Sequence, residues 1–138
     1  MRDIYVINDT NIGKFDGKTV LKLVLEYTMK KATHFQTDFS KTAKKMPLSK
    51  NDATRILKDY LDYKVENIAF YDKEGSLLES YTYGDNFFLN LSKEEYIELQ
   101  NMFEKKGVPK NMFYSQNDIG IRRRRMFGLV TQTKKSDK

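Results

Sequence analysis

Residues 65–106 hold the densest apolar patterning in the chain and constrain its fold most. β-Branched and aromatic residues at 68–71, alternation across 76–83 and an apolar run at 87–91 are typical of three short strands. The turns between them carry Gly75 and Gly84, which can take the positive φ of a tight turn without a Cβ clash. The pattern therefore predicts an antiparallel meander whose apolar face needs a partner.

The segment after the third predicted strand has the start, the stripe and the stop of a helix. Ser92 with Glu95 fits a capping box, in which hydroxyl and carboxylate each accept a backbone N–H. Gly107 suits the first position beyond a helix, and Pro109 cannot continue one. Apolar residues recur at helical spacing at Tyr96, Leu99 and Phe103. We predict that this helix packs on the meander.

Weaker patterns flank this unit. Residues 3–8 favour a strand, residues 33–39 a returning strand, and Ser49 with Asp52 caps a helix at about 50–63. Residues 19–29 alternate strictly after an Asp-Gly turn, which favours a strand over a helix. The helical alternative stays open because several apolar residues also fit one helical face: Val20, Leu21, Val24, Leu25 and Thr28.

The C-terminal part of the chain has a less regular pattern. Residues 112–114 form an apolar patch in a polar loop, and residues 119–130 favour a last strand. We expect one β-rich α+β domain at 1–130 and a flexible basic tail at 131–138. About five or six strands with two main amphipathic helices are compatible with an OB-like barrel or another compact fold, an analogy that carries no function.

Composition excludes several classes of protein. Aromatic residues make up 13% of the 138 residues, which is too many for a disordered chain. Charged residues make up 32%, which is too many for a membrane protein. No apolar run reaches the roughly 18 residues of a membrane span, and the N-terminus lacks a signal-peptide core. Without cysteine there is no disulfide, thiolate zinc site or cysteine nucleophile. A cytoplasmic location is the expectation.

The charge of the chain is concentrated in two zones. Residues 122–138 carry the whole net charge of +6, so residues 1–121 are neutral overall. Within that neutral body, residues 30–50 carry six lysines against Asp38. Local basic zones are more informative about partners than a high overall isoelectric point.

No motif of an enzyme stands out. The single histidine, His34, can form neither a multi-histidine metal site nor, without a nearby Ser-Asp pattern, a triad. Asp62 and Lys64 echo half of a nuclease metal motif but fall at a helix end, where they would not flank a strand. There is no GxGxxG or Walker loop. We expect a protein without a catalytic site, metal or cofactor.

Four consecutive arginines are the sharpest functional feature: Arg122, Arg123, Arg124 and Arg125. Guanidinium groups bind phosphate bidentately and stay charged at any relevant pH. Three interpretations remain: a phosphate-binding segment, a solubilising segment that pairs with acidic helix residues such as Glu94, Glu95 and Glu98, and a contact for an acidic protein.

The second basic zone mixes cations with rings. Phe35 and Phe39 lie among lysines, a combination that suits single strands because cations follow the phosphates while rings stack on bases. Tyr81 and Tyr83, predicted on one strand face, could form a similar platform. The alternative is that both phenylalanines belong to the core and the tyrosines are half-buried sheet residues. The lysines concerned are Lys30, Lys31, Lys41, Lys44 and Lys45.

These observations favour an accessory protein that binds nucleic acid, more readily single-stranded or structured than a specific duplex. No predicted helix has the basic face of a major-groove reader. The alternative is a non-enzymatic regulator or inhibitor that binds an acidic protein surface, of the kind carried by a mobile element or virus. Arginine, tyrosine and phenylalanine also dominate protein-binding hot spots.

Overall fold

The computed structural model describes residues 2–8, 17–37 and 44–116, which form an α+β domain with one seven-stranded antiparallel sheet and three helices. The strands run across the sheet in the order β3-β2-β4-β5-β6-β1-β7. In chain order the elements are β1 (Asp3–Ile7), α1 (Gly17–Lys31), β2 (His34–Thr37), β3 (Met46–Pro47), α2 (Lys50–Leu61), β4 (Ile68–Asp72), β5 (Gly75–Tyr81), β6 (Asn86–Leu91), α3 (Lys93–Lys105) and β7 (Phe113–Ser115). The predicted α+β class is confirmed, whereas the barrel is not the geometry of these residues, because their strand order is linear.

The predicted meander and the helix that follows it are both confirmed. β4, β5 and β6 are consecutive antiparallel neighbours. At α3, the Ser92 hydroxyl accepts from the Glu95 backbone N–H while the Glu95 carboxylate accepts from Ser92 N–H. Ser49 and Asp52 make the same capping box at α2. Gly107 follows α3 with φ of 74°, as expected of a residue that ends a helix.

The three helices lie on one side of the sheet and enclose the core with it. Tyr5 of β1 stacks on Tyr96 of α3, with ring centroids 4.0 Å apart. The Ser80 hydroxyl on β5 is hydrogen-bonded to the Tyr60 hydroxyl of α2 at 2.8 Å. The sheet residues that point to this side alternate along each strand, so the other side carries mainly polar and aromatic residues, with Val6 among them.

The helix at residues 17–31 contradicts the predicted strand at 19–29. Five of its six buried residues follow helical spacing along one face, and the sixth, Leu25, lies beside that face: Val20, Leu23, Val24, Leu25, Tyr27 and Thr28. α1 packs between α2, α3 and β4, so it is buried on more than one side. A helix buried in this way carries extra apolar residues, and these produced the alternation that suggested a strand.

A β-bulge changes the predicted alternation of β5. Phe70 pairs with Leu78 but Tyr71 pairs with Ser76, so Leu77 is left between the two pairs. Leu77 and Leu78 are both completely buried, where strict alternation placed them on opposite faces. β5 ends at Tyr81, and the predicted continuation to residue 83 is wrong because residues 82 and 83 form a turn with positive φ.

Most of the apolar patch at residues 112–114 belongs to the sheet and not to a loop, since residues 113 and 114 lie in β7 and Met112 lies in the bend directly before it. Met112 and Phe113 are buried, and β7 pairs with β1 at the edge of the sheet. Phe113 stacks on Phe103, with ring centroids 6.1 Å apart. The predicted strand at 119–130 and the tail at 131–138 lie outside the described residues.

Gly84 is a position where a methyl group would be costly. It has φ of +94°, and an added Cβ would lie 2.9 Å from the Tyr60 hydroxyl oxygen. We expect Gly84→Ala to lower the free energy of unfolding by roughly 2–3 kcal/mol, through backbone strain and the clash together. Chemical denaturation followed by circular dichroism measures it.

A second substitution separates the two causes of this loss. Tyr60→Phe removes the oxygen that an alanine at 84 would meet, so adding it to Gly84→Ala should cost less than Tyr60→Phe costs alone. Gly107→Ala is the control, because Gly107 also has positive φ but nothing lies within 4 Å of its Cβ position. Equal losses for the alanine variants at 84 and 107 would contradict the clash.

Candidate functional site

The side of the sheet away from the helices, here called the open face, carries a row of rings and polar groups. The register places Tyr71, Glu79 and Phe88 on it, since their strand neighbours Phe70, Leu78 and Leu89 point into the core. The same alternation adds one further residue from each of five strands: Val6, Gln36, Tyr81, Asn90 and Tyr114. Antiparallel sheets often have one packed and one solvated side.

Aromatic side chains lie next to one another at the centre of the open face. Tyr81 and Phe88 meet edge to face, with ring centroids 6.5 Å apart and an interplanar angle of 63°. Tyr71 lies on the neighbouring strand β4 and donates a hydrogen bond from its hydroxyl to Gln36 Oε1 at 3.0 Å. All three rings are half-buried, so part of each ring meets solvent.

A hydrogen-bond network holds the groups between these rings. The Glu79 carboxylate accepts from the Tyr81 hydroxyl at 2.5 Å and from the Ser76 hydroxyl at 3.0 Å. The Asn90 amide donates to Glu79 Oε2 at 3.3 Å and to Ser76 Oγ at 3.1 Å. Charge-assisted bonds of this kind fix side-chain positions, so Glu79 orients the ring of Tyr81.

Cationic groups lie at one end of the open face. Lys45 Nζ is 4.1 Å from the centroid of the Tyr71 ring, a cation–π geometry. The adjoining surface depression, of about 410 Å³, is lined in part by His34 and Lys73. Asp72 also lines it, but Arg2 pairs with that carboxylate. The end of the open face at β2 and β4 is therefore the part that suits an anion.

The hydrogen bond to Glu79 raises the pKa of Tyr81 to about 12, with burial as a further cause. We predict that Glu79→Gln moves this pKa down toward the ordinary value of about 10, because the negative charge that opposes ionisation is gone. Tyrosine-labelled NMR over an alkaline pH series measures it, with Tyr81→Phe to identify the signal. Ser76→Ala is the control: it removes a different donor to Glu79. A Tyr81 pKa that stays at about 12 in Glu79→Gln would contradict the network.

The structure divides the predicted lysine zone between the two sides of the molecule. Lys30 is exposed at the end of α1, on the helical side. Lys31 is held there by Glu98 at 3.3 Å and Glu95 at 3.9 Å. Lys44 and Lys45 are exposed, and Lys45 reaches the open face. The zone is not one continuous surface in the described residues.

The predicted stacking rings also separate. Phe35 is half-buried and packs against the core opposite Phe70, as in the alternative interpretation. Tyr81 lies on the open face, whereas Tyr83 is 48% exposed in the turn after β5. The remaining predicted site residues lie outside the described part of the chain: Phe39, Lys41, Arg122, Arg123, Arg124 and Arg125.

Two of the three rings at the centre of the open face, Tyr71 and Phe88, were missed as site candidates at the sequence level. Phe88 follows the buried Phe87, and period-two alternation within the strand would have placed it on the opposite side. Tyr71 follows the buried Phe70 in β4 in the same way, and the bulge lies in the partner strand β5. In both strands, alternation identifies the exposed ring only once the first ring of the adjacent pair is assigned to the core.

Within residues 2–8, 17–37 and 44–116, no group of three or more acidic or histidine side chains is placed to hold a metal ion. No helix of the same residues is long and apolar enough to cross a bilayer. Comparison of the chain with models of protein families, with curated proteins and with solved structures finds no match.

Proposed function

We propose that this protein binds single-stranded nucleic acid on the open face of its sheet, as a non-catalytic accessory protein. The observation that carries the proposal is the group of half-buried rings, Tyr71, Tyr81 and Phe88, next to the cation Lys45. Single-strand binders combine rings that stack on bases with cations that follow the backbone. The absence of cysteine suits the reducing cytoplasm, which we propose as its location.

The charges of the open face suggest how a strand would lie. Glu79 between the rings repels phosphate, so the backbone should pass by the β2–β4 end, near His34, Lys45 and Lys73. Bases would then turn inward onto Tyr71 and Phe88. Each stacked base contributes about 1–3 kcal/mol.

The arginine run is the proposed second contact. Gln116 follows β7, and six residues further along the sequence is Arg122. A chain of that length spans at most about 20 Å. Strands are about 4.8 Å apart, so the run begins within reach of several strands of the open face.

The test of the platform is binding of a fluorescent oligonucleotide of about 12 nucleotides, DNA or RNA, at low salt. Phe88→Ala should weaken binding about tenfold, since one stacked base at the middle of the range is lost. Tyr63→Ala is the matched control, because Tyr63 is an exposed tyrosine outside the open face. Unchanged affinity in Phe88→Ala would overturn the platform. If the purified protein binds no oligonucleotide but binds one protein partner, the result would favour the alternative function, a regulator that binds a protein surface.

Salt dependence tests the arginine run separately. Affinity for a single strand falls by about 0.7 log units per log unit of salt for each phosphate neutralised. Replacing Arg122, Arg123, Arg124 and Arg125 with alanine should lower this slope by about two or more, whereas replacing all four with lysine should preserve it. An unchanged slope in the alanine variant would remove the run from the proposal.

A further inference from the structure

The helical side of the molecule carries a second surface feature, an open groove between α1, α2 and α3. Its volume is about 750 Å³, which is in the range of ligand and peptide sites. Apolar side chains make up most of its floor: Leu23, Met29, Leu48, Ala53, Leu57 and Met102. Except for the buried Leu23, they are half-buried, so the groove exposes apolar surface to water.

The rim of this groove is basic. Lys30, Lys50 and Lys106 are exposed along it, against one carboxylate, Glu26. None of the ion pairs within the described residues uses any of these three lysines. Two carboxylates of the neighbouring helix α3 pair with other lysines, Glu98 with Lys31 and Glu104 with Lys110. The rim therefore keeps a positive charge next to an apolar floor.

We propose that this groove binds an amphipathic α-helix of a protein partner, with apolar residues at spacing i, i+3, i+4 and i+7 and acidic residues beside them. Helices dock in grooves through such a stripe. The lysine rim selects carboxylates beside it, and Met29 and Met102 can adapt to the side chains they receive.

The walls of the groove argue for a helix over an extended peptide. A peptide in strand conformation binds by adding hydrogen bonds to a sheet edge. Here α1, α2 and α3 form most of the walls, and the backbone groups inside a helix are already bonded within it. The groove therefore contacts a partner only through side chains. This suits a helical partner, because the backbone N–H and C=O groups of a helix are already hydrogen-bonded to each other.

Charge also argues against the chain's own C-terminus as the occupant. Residues 122–138 have a net charge of +6, and the lysine rim would repel them. The partner is therefore a separate acidic segment, on the side of the molecule opposite the open face. This inference does not rest on nucleic-acid binding.

The experiment is a selection from a displayed library of random peptides of about 18 residues, enough for five helical turns. The full-length protein is the bait. The enriched peptides should be acidic, with the helical apolar stripe, and a synthetic copy should bind about tenfold more weakly to Leu57→Glu. Because Leu57 also touches the core, a second variant avoids folding effects: Lys30→Glu with Lys106→Glu should weaken binding at least fivefold.

The matched control changes the same charge elsewhere. Lys58→Glu with Lys105→Glu reverses two exposed lysines on α2 and α3 that do not line the groove, and should leave peptide affinity within twofold. Oligonucleotide affinity should follow the open-face variants and not Leu57→Glu, so the two proposals can fail separately. Failure to enrich any peptide, enrichment of basic or non-helical peptides, or equal binding to both double variants would overturn the groove. If dodecanoate binds at the groove and no peptide does, the helical partner would be overturned in favour of a fatty acid.

Discussion

Phe103→Ala is expected to lower the free energy of unfolding by about 3–5 kcal/mol, the largest loss that we predict for a single substitution. Phe103 is completely buried on the inner side of α3 and stacks on Phe113 of β7, with an interplanar angle of 13°. Phe113 in turn contacts Phe87 of β6, with ring centroids 6.2 Å apart. Removing the ring leaves a cavity where α3 meets two strands, and the rigid sheet cannot close over it.

Ile97→Ala on the same helix is the control for Phe103→Ala. Ile97 is 46% exposed, so Ile97→Ala should lower the free energy of unfolding by no more than about 0.5 kcal/mol. Urea denaturation followed by circular dichroism at neutral pH measures both variants. Similar losses in the free energy of unfolding for the two variants would mean that α3 does not bury the face that carries Phe103.

Arg2→Gln is expected to cost about 2 kcal/mol at neutral pH, because it breaks a partly buried network. The Arg2 guanidinium donates two hydrogen bonds to Asp72, at 2.9 and 2.5 Å. It also donates to both carboxylate oxygens of Glu95, at 3.2 and 3.3 Å. The side chains of Arg2, Asp72 and Glu95 are only 13–16% exposed. The glutamine variant therefore leaves two poorly solvated carboxylates without their cation.

This loss should depend on pH in a defined direction. The hydrogen bond from Arg2 lowers the pKa of Asp72. Burial by itself raises the pKa of Glu95, but the Ser92 backbone N–H and Arg2 outweigh it, so this pKa is also lowered. Both carboxyl groups therefore have lower pKa values in the folded protein than in the unfolded chain, where Asp and Glu titrate at about 3.9 and 4.3. The stability that this difference contributes is complete above the unfolded pKa values and is lost as the pH falls through the folded ones. The difference between the wild type and Arg2→Gln should therefore shrink below about pH 4.

The control for Arg2→Gln is Arg55→Gln. Arg55 pairs with Asp52 at 3.2 Å, but its side chain is 60% exposed, and surface pairs contribute little. Its loss should be within about 0.5 kcal/mol across the pH series. A loss for Arg2→Gln that is small, or constant from neutral to acid pH, would contradict the network.

The candidate sites could be predicted only in part. The basic zone at 30–50 was visible in the sequence, but the helix up to Lys31 carries its first two lysines to the helical side while Lys45 reaches Tyr71. Which lysines share a surface depends on where secondary elements cross the core, and that is not a local property. The helical groove could not be predicted from the sequence, because its lining comes from three separate stretches of the chain, within 23–30, 48–57 and 102–106.

The sequence by itself determined the elements whose signals are local. The capping boxes at Ser49 and Ser92 and the meander with its glycine turns could all be predicted, because each rests on bonds between residues close along the chain. Tertiary structure decided the rest. Residues 19–29 became a helix because burial on several sides overrides periodicity, and Leu77 joined the core through a bulge set by its pairing with β4. The physical reason is that burial is shared among distant residues, so the face that each side chain occupies is fixed only when the layers pack together.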